Sequence, residues 1–252
     1  MKLKNVSKSF VARQFFQDVS LSIEQGQLWL VALTAAENRC CSRVLCGFEK
    51  PDRGSVMCAE NSLVKMAATS PKVWSIYQFP RFIGIYSGFQ NLKFLADIQG
   101  KIGEKEIRQA MSKVGLDPDN KTKVDNYSLG MKQKLGIAQA IMEGQDILIL
   151  DEPFNALDYK TYEDVKAIIR MLKAEGKTIF LTSHHFKDIE QLCDQVYSIE
   201  DCRLIPITEE IAARYREMEY PLKAIESSCR TAARKKSYVQ QSYQHAYKKR
   251  RL

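Results

Sequence analysis

The stretch Ile147-Leu148-Ile149-Leu150-Asp151-Glu152-Pro153-Phe154-Asn155-Ala156-Leu157-Asp158 decides the fold. Its first four residues form a short unbroken apolar run, the pattern of a strand buried on both faces of a parallel sheet. Two adjacent carboxylates, Asp151 and Glu152, follow at the carboxyl end, where open α/β sheets place their ligands. One such acid can hold Mg2+ while its neighbour faces a water beyond a terminal phosphate.

Alternating strand and helix patterns surround this stretch over residues 1–206. Leu3–Val6 and Val19–Glu24 read as antiparallel strands, and Leu28–Leu33, after Gly26, as a buried strand. A helix is expected to run to Cys46, with Gly47 as its stop. Pro51-Asp52-Arg53-Gly54 reads as a turn. Residues from about 85 to 135 are rich in helical pattern, broken by Gly100, Gly103, Gly115 and Pro118, which suits a helical subdomain inserted into a sheet domain. Beyond the acidic strand come a charged amphipathic helix (Lys160–Glu175), Gly176, a strand (Thr178–Thr182) and His184-His185. The expected fold class is α/β, with a mainly parallel sheet, N-terminal antiparallel strands and an inserted helical subdomain.

The 252 residues, 45% hydrophobic, are enough for one substantial α/β domain with additions. No segment approaches the roughly 18 uninterrupted apolar residues of a membrane span, and Met1-Lys2-Leu3-Lys4-Asn5 lacks the core of a signal peptide. The seven cysteines are scattered, with no CxxC pair, so neither a zinc site nor a disulfide framework is expected and a cytoplasmic location is. Residues 221–252 hold nine Lys and Arg against Glu226 alone, which accounts for the whole net charge of +8. The basicity therefore belongs to a tail and not to the fold. Tyr238, Tyr243 and Tyr247 interleave that charge; anionic lipid or nucleic acid would suit it, but its composition is foremost that of a solvated extension.

Five motifs now stand in order. They are YSLGMKQKLGIAQAIM over 127–142, DEPFNALD over 151–158, Thr182-Ser183-His184 with Leu192-Cys193-Asp194 behind it, Gln78 before Phe79-Pro80, and the aromatic Phe10. Together they resemble the nucleotide-binding subunit of an ABC transporter over residues 1–206, most of all the bacitracin-resistance and lantibiotic-immunity type. The first motif resembles the ABC signature and its helix, and the second resembles Walker B plus the D-loop. Each has a plainer reading: the acids as a solvated strand end, His184 as a surface histidine, Phe10 as core, Ser128 as a helix cap. Independent surface residues would not reproduce the joint order.

The resemblance implies a P-loop NTPase-like cassette, 1–206, followed by a C-terminal helix and basic tail, 207–252. It implies ATP and Mg2+ as cofactors. Asp151 would hold Mg2+, and Gln78 would link the metal to the helical subdomain. Glu152 would polarise the attacking water, and His184 would contact the γ-phosphate. Phe10 would stack on adenine, and Ser128, Gly130 and Asp158 would serve a nucleotide shared with a second ABC subunit. The partners implied are that subunit, as a homo- or heterodimer, and a membrane-spanning transporter subunit at the inner face of the cell membrane. Nucleic acid is not an expected partner.

The phosphate loop departs from the family. In register with its Gly-x-Asn-Gly-x-Gly-Lys-Ser/Thr stand Ala32-Leu33-Thr34-Ala35-Ala36-Glu37-Asn38-Arg39. Of the corresponding nucleotide-binding positions, Ala32, Thr34, Ala35 and Glu37 replace groups that should let backbone N–H donors curl round phosphate. Asn38 stands for the phosphate-binding lysine, a charge-assisted contact worth about 1.5–3 kcal/mol. Arg39 stands for the hydroxyl that ligates Mg2+, which a guanidinium cannot do. As written, the segment should bind MgATP poorly. With free choice of synonymous codons, the same bases read one position earlier can spell Gly-Pro-Asn-Gly-Ser-Gly-Lys-Ser. A pair of compensating single-base shifts spanning about Ala32 to Ser42 accounts for this; a naturally degenerate, silent subunit is the other reading.

Overall fold

The computed structural model describes residues 2–10, 13–23, 27–32, 43–44, 49–59, 62–63, 73–76, 81–183, 190–213 and 216. For Phe10, Arg13 and residues 27–32, 58–59, 62–63 and 73–76 it describes the backbone alone. Two sheets carry unit 1, Met1–Ile207. The first is antiparallel, in the order β2 (Arg13–Ser22), β1 (Lys2–Phe10), β4 (Arg53–Ala59), β5 (Ser62–Leu63). The second runs β10 (Arg203–Pro206), β9 (Gln195–Glu200), β3 (Gln27–Ala32), β8 (Thr178–Thr182), β7 (Ile147–Asp151), β6 (Val73–Ile76). All its pairings are parallel except β10 with β9.

The expected antiparallel pair forms, with Leu3 opposite Leu21 and Val6 opposite Val19. The strands are longer than their hydrophobic pattern suggests. The supposed turn at 51–54 already contains the start of β4, which pairs with β1 through Leu3 and Val56. Gly54 sits there at φ 82°, and a Cβ on it would lie 2.3 Å from the carbonyl oxygens of Lys4 and Asn5. Only glycine fits where β1 and β4 cross at a register shift.

The two sheets close over one apolar layer: Leu3, Val6, Phe16, Val19 and Val56 meet Ile149, Phe180 and Ile199. Because strand side chains alternate, Leu148 and Leu150 occupy the opposite face of β7, and both are fully buried. That burial on both sides is why 147–150 carries no polar residue. Arg43 and Val44 are helical, with Val44 in the same layer.

Among the described residues the longer helices are α1 (Gly88–Gln99), α2 (Glu104–Lys113), α3 (Leu129–Ile141) and α4 (Tyr159–Ala174). Ser87 opens α1 with a reciprocal capping box to Gln90, and Gly100 closes it in the left-handed region. Buried Asn91 clamps the entering loop: its Oδ1 accepts from Ile83 N at 2.7 Å, and its Nδ2 donates to Ile83 O and Ser87 O. A short 3-10 turn, Val124–Asn126, leads into α3, which packs against β6 and α4. Thr208–Leu252 form the second unit, in which 209–213 are helical among the described residues. No described helix is long and apolar enough to cross a membrane.

Candidate nucleotide site

Register brings the carboxyl ends of four parallel strands to one edge. Asp151 stands opposite Thr182, Leu30 opposite Thr182 on the other side, and Ile76 opposite Leu150. β3 therefore reaches Ala32 at the same edge where β7 delivers Asp151 and β8 delivers Thr182. Such an edge is where parallel α/β sheets hold ligands.

Asp151 is buried, and its Oδ1 accepts a hydrogen bond from the Thr182 hydroxyl at 2.7 Å. Glu152 N donates to the same Thr182 Oγ1 and to Thr182 O, each at 3.1 Å. Glu152 then takes φ 51°, and Ala156 takes φ 58°, both in the left-handed region. For residues other than glycine this costs on the order of 1–3 kcal/mol, strain that concentrates at working sites. The backbone turns sharply through 152–157, with Asn155 N donating to Glu152 O at 3.2 Å.

Asp158 ends that turn and caps α4. Its carboxylate accepts from Thr161 Oγ1 at 2.6 Å and Thr161 N at 3.0 Å, and these bonds hold its pKa below the ordinary 3.8. Thr161 is also the floor under Gly130, where a Cβ would fall 2.2 Å from Thr161 Cγ2. The first turns of α3 and α4 thus touch through a glycine and a threonine methyl. Lys134 and Asp164 add a second tie at 2.7 Å.

Ser128 caps α3, its Oγ accepting from Met131 N at 3.1 Å. A hydroxyl that accepts can still donate, and the first turn of a helix presents N–H groups to an anion. A cavity of about 280 Å3 opens beside it, lined by Asp117, Tyr127, Ser128, Gly130, Lys134 and Thr161 among others. Burial pushes the Tyr127 phenol above its ordinary pKa.

Of the residues singled out from sequence, the structure brings Asp151 and Glu152 together at the sheet edge, and Ser128, Gly130 and Asp158 around the α3–α4 contact. Ala32 and Phe10 end β3 and β1, with only their backbones described. Thr34, Ala35, Glu37, Asn38, Arg39, Gln78 and His184 lie outside the described residues. Thr182 stands in the Thr182-Ser183-His184 motif without a role of its own in the sequence, and Thr161 is not singled out. The second carried a signal, since Asp158-x-x-Thr161 has the spacing of a helix cap and its third residue. The first carried none, because cross-strand register is not written in either strand alone.

Mg2+ suits what is present. It takes hard oxygen ligands, usually one or two carboxylates with phosphates and waters, rather than an all-protein cage. Asp151 offers the carboxylate, and the described residues hold no group of three or more acids, histidines and cysteines. The donor set over 32–39 does not suit a polyphosphate, having neither glycine nor lysine.

The ABC_tran family, described as "ABC transporter", matches residues 40–155, beginning directly after residues 32–39. The ABC transporter ATP-binding protein YybJ of Bacillus subtilis is 35% identical over 205 residues, 81% of this chain and 94% of YybJ. The chain belongs to the ABC transporter ATP-binding proteins. Further relatives include the lantibiotic transport ATP-binding protein SrtF of Streptococcus pyogenes, 31% identical over 81% of this chain and 89% of SrtF. The bacitracin transport ATP-binding protein BcrA of Enterococcus faecalis is 30% identical over 81% of this chain and 68% of BcrA. The fold of this ABC cassette matches the dimeric ATP-binding cassette MJ0796, solved in a post-hydrolysis state bound to ADP and Pi. The TM-score is 0.70 at 18% identity, covering 81% of this chain and 95% of that one.

Proposed function

We propose that the chain is the ATP-binding and hydrolysing subunit of a bacterial transporter, working on a separate membrane-spanning subunit at the inner face of the cell membrane. Its task would be export of, or immunity to, a peptide antibiotic. The observation that carries the reading is the Asp151–Glu152 pair at the carboxyl edge of the sheet, braced by Thr182. Asp151 would give Mg2+ an oxygen ligand; the ion, when bound, neutralises phosphate charge. Glu152 would orient and polarise a water. His184 and Gln78 each follow a parallel strand by two residues, β8 and β6, whose carboxyl ends share that edge. His184 would contact the γ-phosphate, and Gln78 would link the metal to the helical subdomain. Ser128 and Gly130 would meet the nucleotide of a second cassette.

Two findings support the finer parts. SrtF and BcrA are named for lantibiotic and bacitracin transport, which favours a peptide antibiotic as cargo. The helical region exposes large apolar side chains, Ile83 at 52%, Ile85 at 62%, Phe94 at 41% and Ile98 at 79%. Phe94 and Ile98 are one turn apart on α1, and Tyr86 stacks edge-on to Phe94 at 4.9 Å. Exposed apolar side chains on α1 and on the segment that enters it favour a docking surface for the membrane subunit.

Residues 32–39, taken at face value, favour a second reading. A cassette without glycines or lysine there would leave its own site silent and lend Ser128 and Gly130 to an intact partner. Compensating shifts in codons 32–42 favour the first. Sequencing the gene through codons 30–46 and assaying the full chain together decide between them. Mg2+-dependent turnover by the chain with its membrane subunit supports the enzyme. Turnover that appears only with an intact second cassette, and is lost on Ser128→Arg, supports the silent subunit.

A further inference from the structure

We propose that Thr182 is a positioning residue for this site, one hydroxyl setting the carboxylate of Asp151 and the backbone turn at Glu152 together. The proposal rests on the reading of Asp151 and Glu152 as the magnesium and water-polarising pair.

The polarity of the arrangement is forced. An N–H can only donate, so Thr182 Oγ1 accepts from Glu152 N at 3.1 Å. Its own hydrogen is then left for Asp151 Oδ1, 2.7 Å away. Thr182 is fully buried and stands opposite Asp151 in the β7–β8 ladder. Its hydroxyl acts through the Asp151 carboxylate and the Glu152 backbone. Ser183, behind it, is also buried, and the chain proceeds directly to His184. One side chain thus ties the end of the acidic strand to the strand that leads to the histidine. Glu152 N also reaches Thr182 O at 3.1 Å, so the turn has a backbone contact and a hydroxyl contact with separable roles.

Two substitutions in the full-length chain separate hydroxyl from packing. Thr182→Val keeps the shape and both methyl-sized branches but has no hydroxyl. Thr182→Ser keeps the hydroxyl and loses the methyl. If the hydroxyl positions the site, the Glu152 amide in Thr182→Val exchanges with solvent roughly three- to tenfold faster than wild type, while Thr182→Ser stays near wild type. Circular dichroism confirms that each variant is folded. A second measurement, made in the full chain with Gly-Pro-Asn-Gly-Ser-Gly-Lys-Ser restored over 32–39, uses Mn2+ as the probe and compares ATP affinity with the ion and with chelator. The gain in affinity due to the ion should fall roughly tenfold in Thr182→Val and persist in Thr182→Ser. Unchanged exchange in Thr182→Val overturns the proposal, as does a defect in Thr182→Ser with Val normal, which would make the residue a packing element. Absence of any ion-dependent affinity in the restored chain counts against the nucleotide reading itself, and the exchange measurement still decides the role of the hydroxyl.

Discussion

A Cβ placed on Gly130 would lie 2.2 Å from the Thr161 methyl and 2.8 Å from its hydroxyl. A helical glycine is normally worse than alanine by about 1 kcal/mol, so propensity alone would favour replacement. The contact reverses that sign. Gly130→Ala should destabilise the protein by about 1–3 kcal/mol, the usual cost of overpacking, and thermal melting would register it. Adding Thr161→Ser, which removes the nearer atom and keeps a hydroxyl for Asp158, should recover part of the loss; strict additivity of the two changes would show that they do not touch. The same glycine is the one sequence reading assigned to a nucleotide, so close packing is a second, sufficient reason for its identity. At Thr182 the stability effect belongs to a bond with a charged group. Thr182→Val should cost about 1.5–3 kcal/mol and Thr182→Ser clearly less, measured by denaturant unfolding.

The elements were unequally legible. β7 could be read from four apolar residues because both its faces are covered. β4 could not, since Arg53-Gly54-Ser55 opens it with turn-forming residues and its partner β1 lies fifty residues upstream. Non-local pairing leaves no local trace. Core position within β7 sets a large cost: Ile149→Ala, beneath both sheets, should lose about 2–5 kcal/mol in a denaturant titration. The cap of α4 makes a pH prediction instead. Bonds from Thr161 depress the Asp158 pKa below 3.8, so the cap stabilises the fold fully above that value and the benefit disappears as pH falls through the depressed one. Asp158→Asn should therefore weaken the fold near neutrality and make acid unfolding less steep; identical acid profiles for the two proteins would contradict the assignment. The stretch 151–158 was visible in sequence as a motif, but not the left-handed turns at Glu152 and Ala156 that shape it.

At the scale of the molecule, residues 32–39 and the rest of the sequence point in opposite directions. The relatives and the parallel sheet are those of an ATP-binding cassette, while 32–39 hold neither glycine nor lysine. Replacing Ile85 and Ile98 by glutamate should leave stability within about 0.5 kcal/mol, as for most surface changes, yet stop co-purification with the proposed membrane subunit. The most direct measurement restores Gly-Pro-Asn-Gly-Ser-Gly-Lys-Ser over 32–39 in the full chain and follows Mg2+-dependent ATP turnover. Hydrolysis should appear in the restored chain and fall by about a hundredfold or more when Glu152→Gln is added. A restored chain that binds MgATP yet turns over equally fast without the Glu152 carboxylate would contradict that expectation.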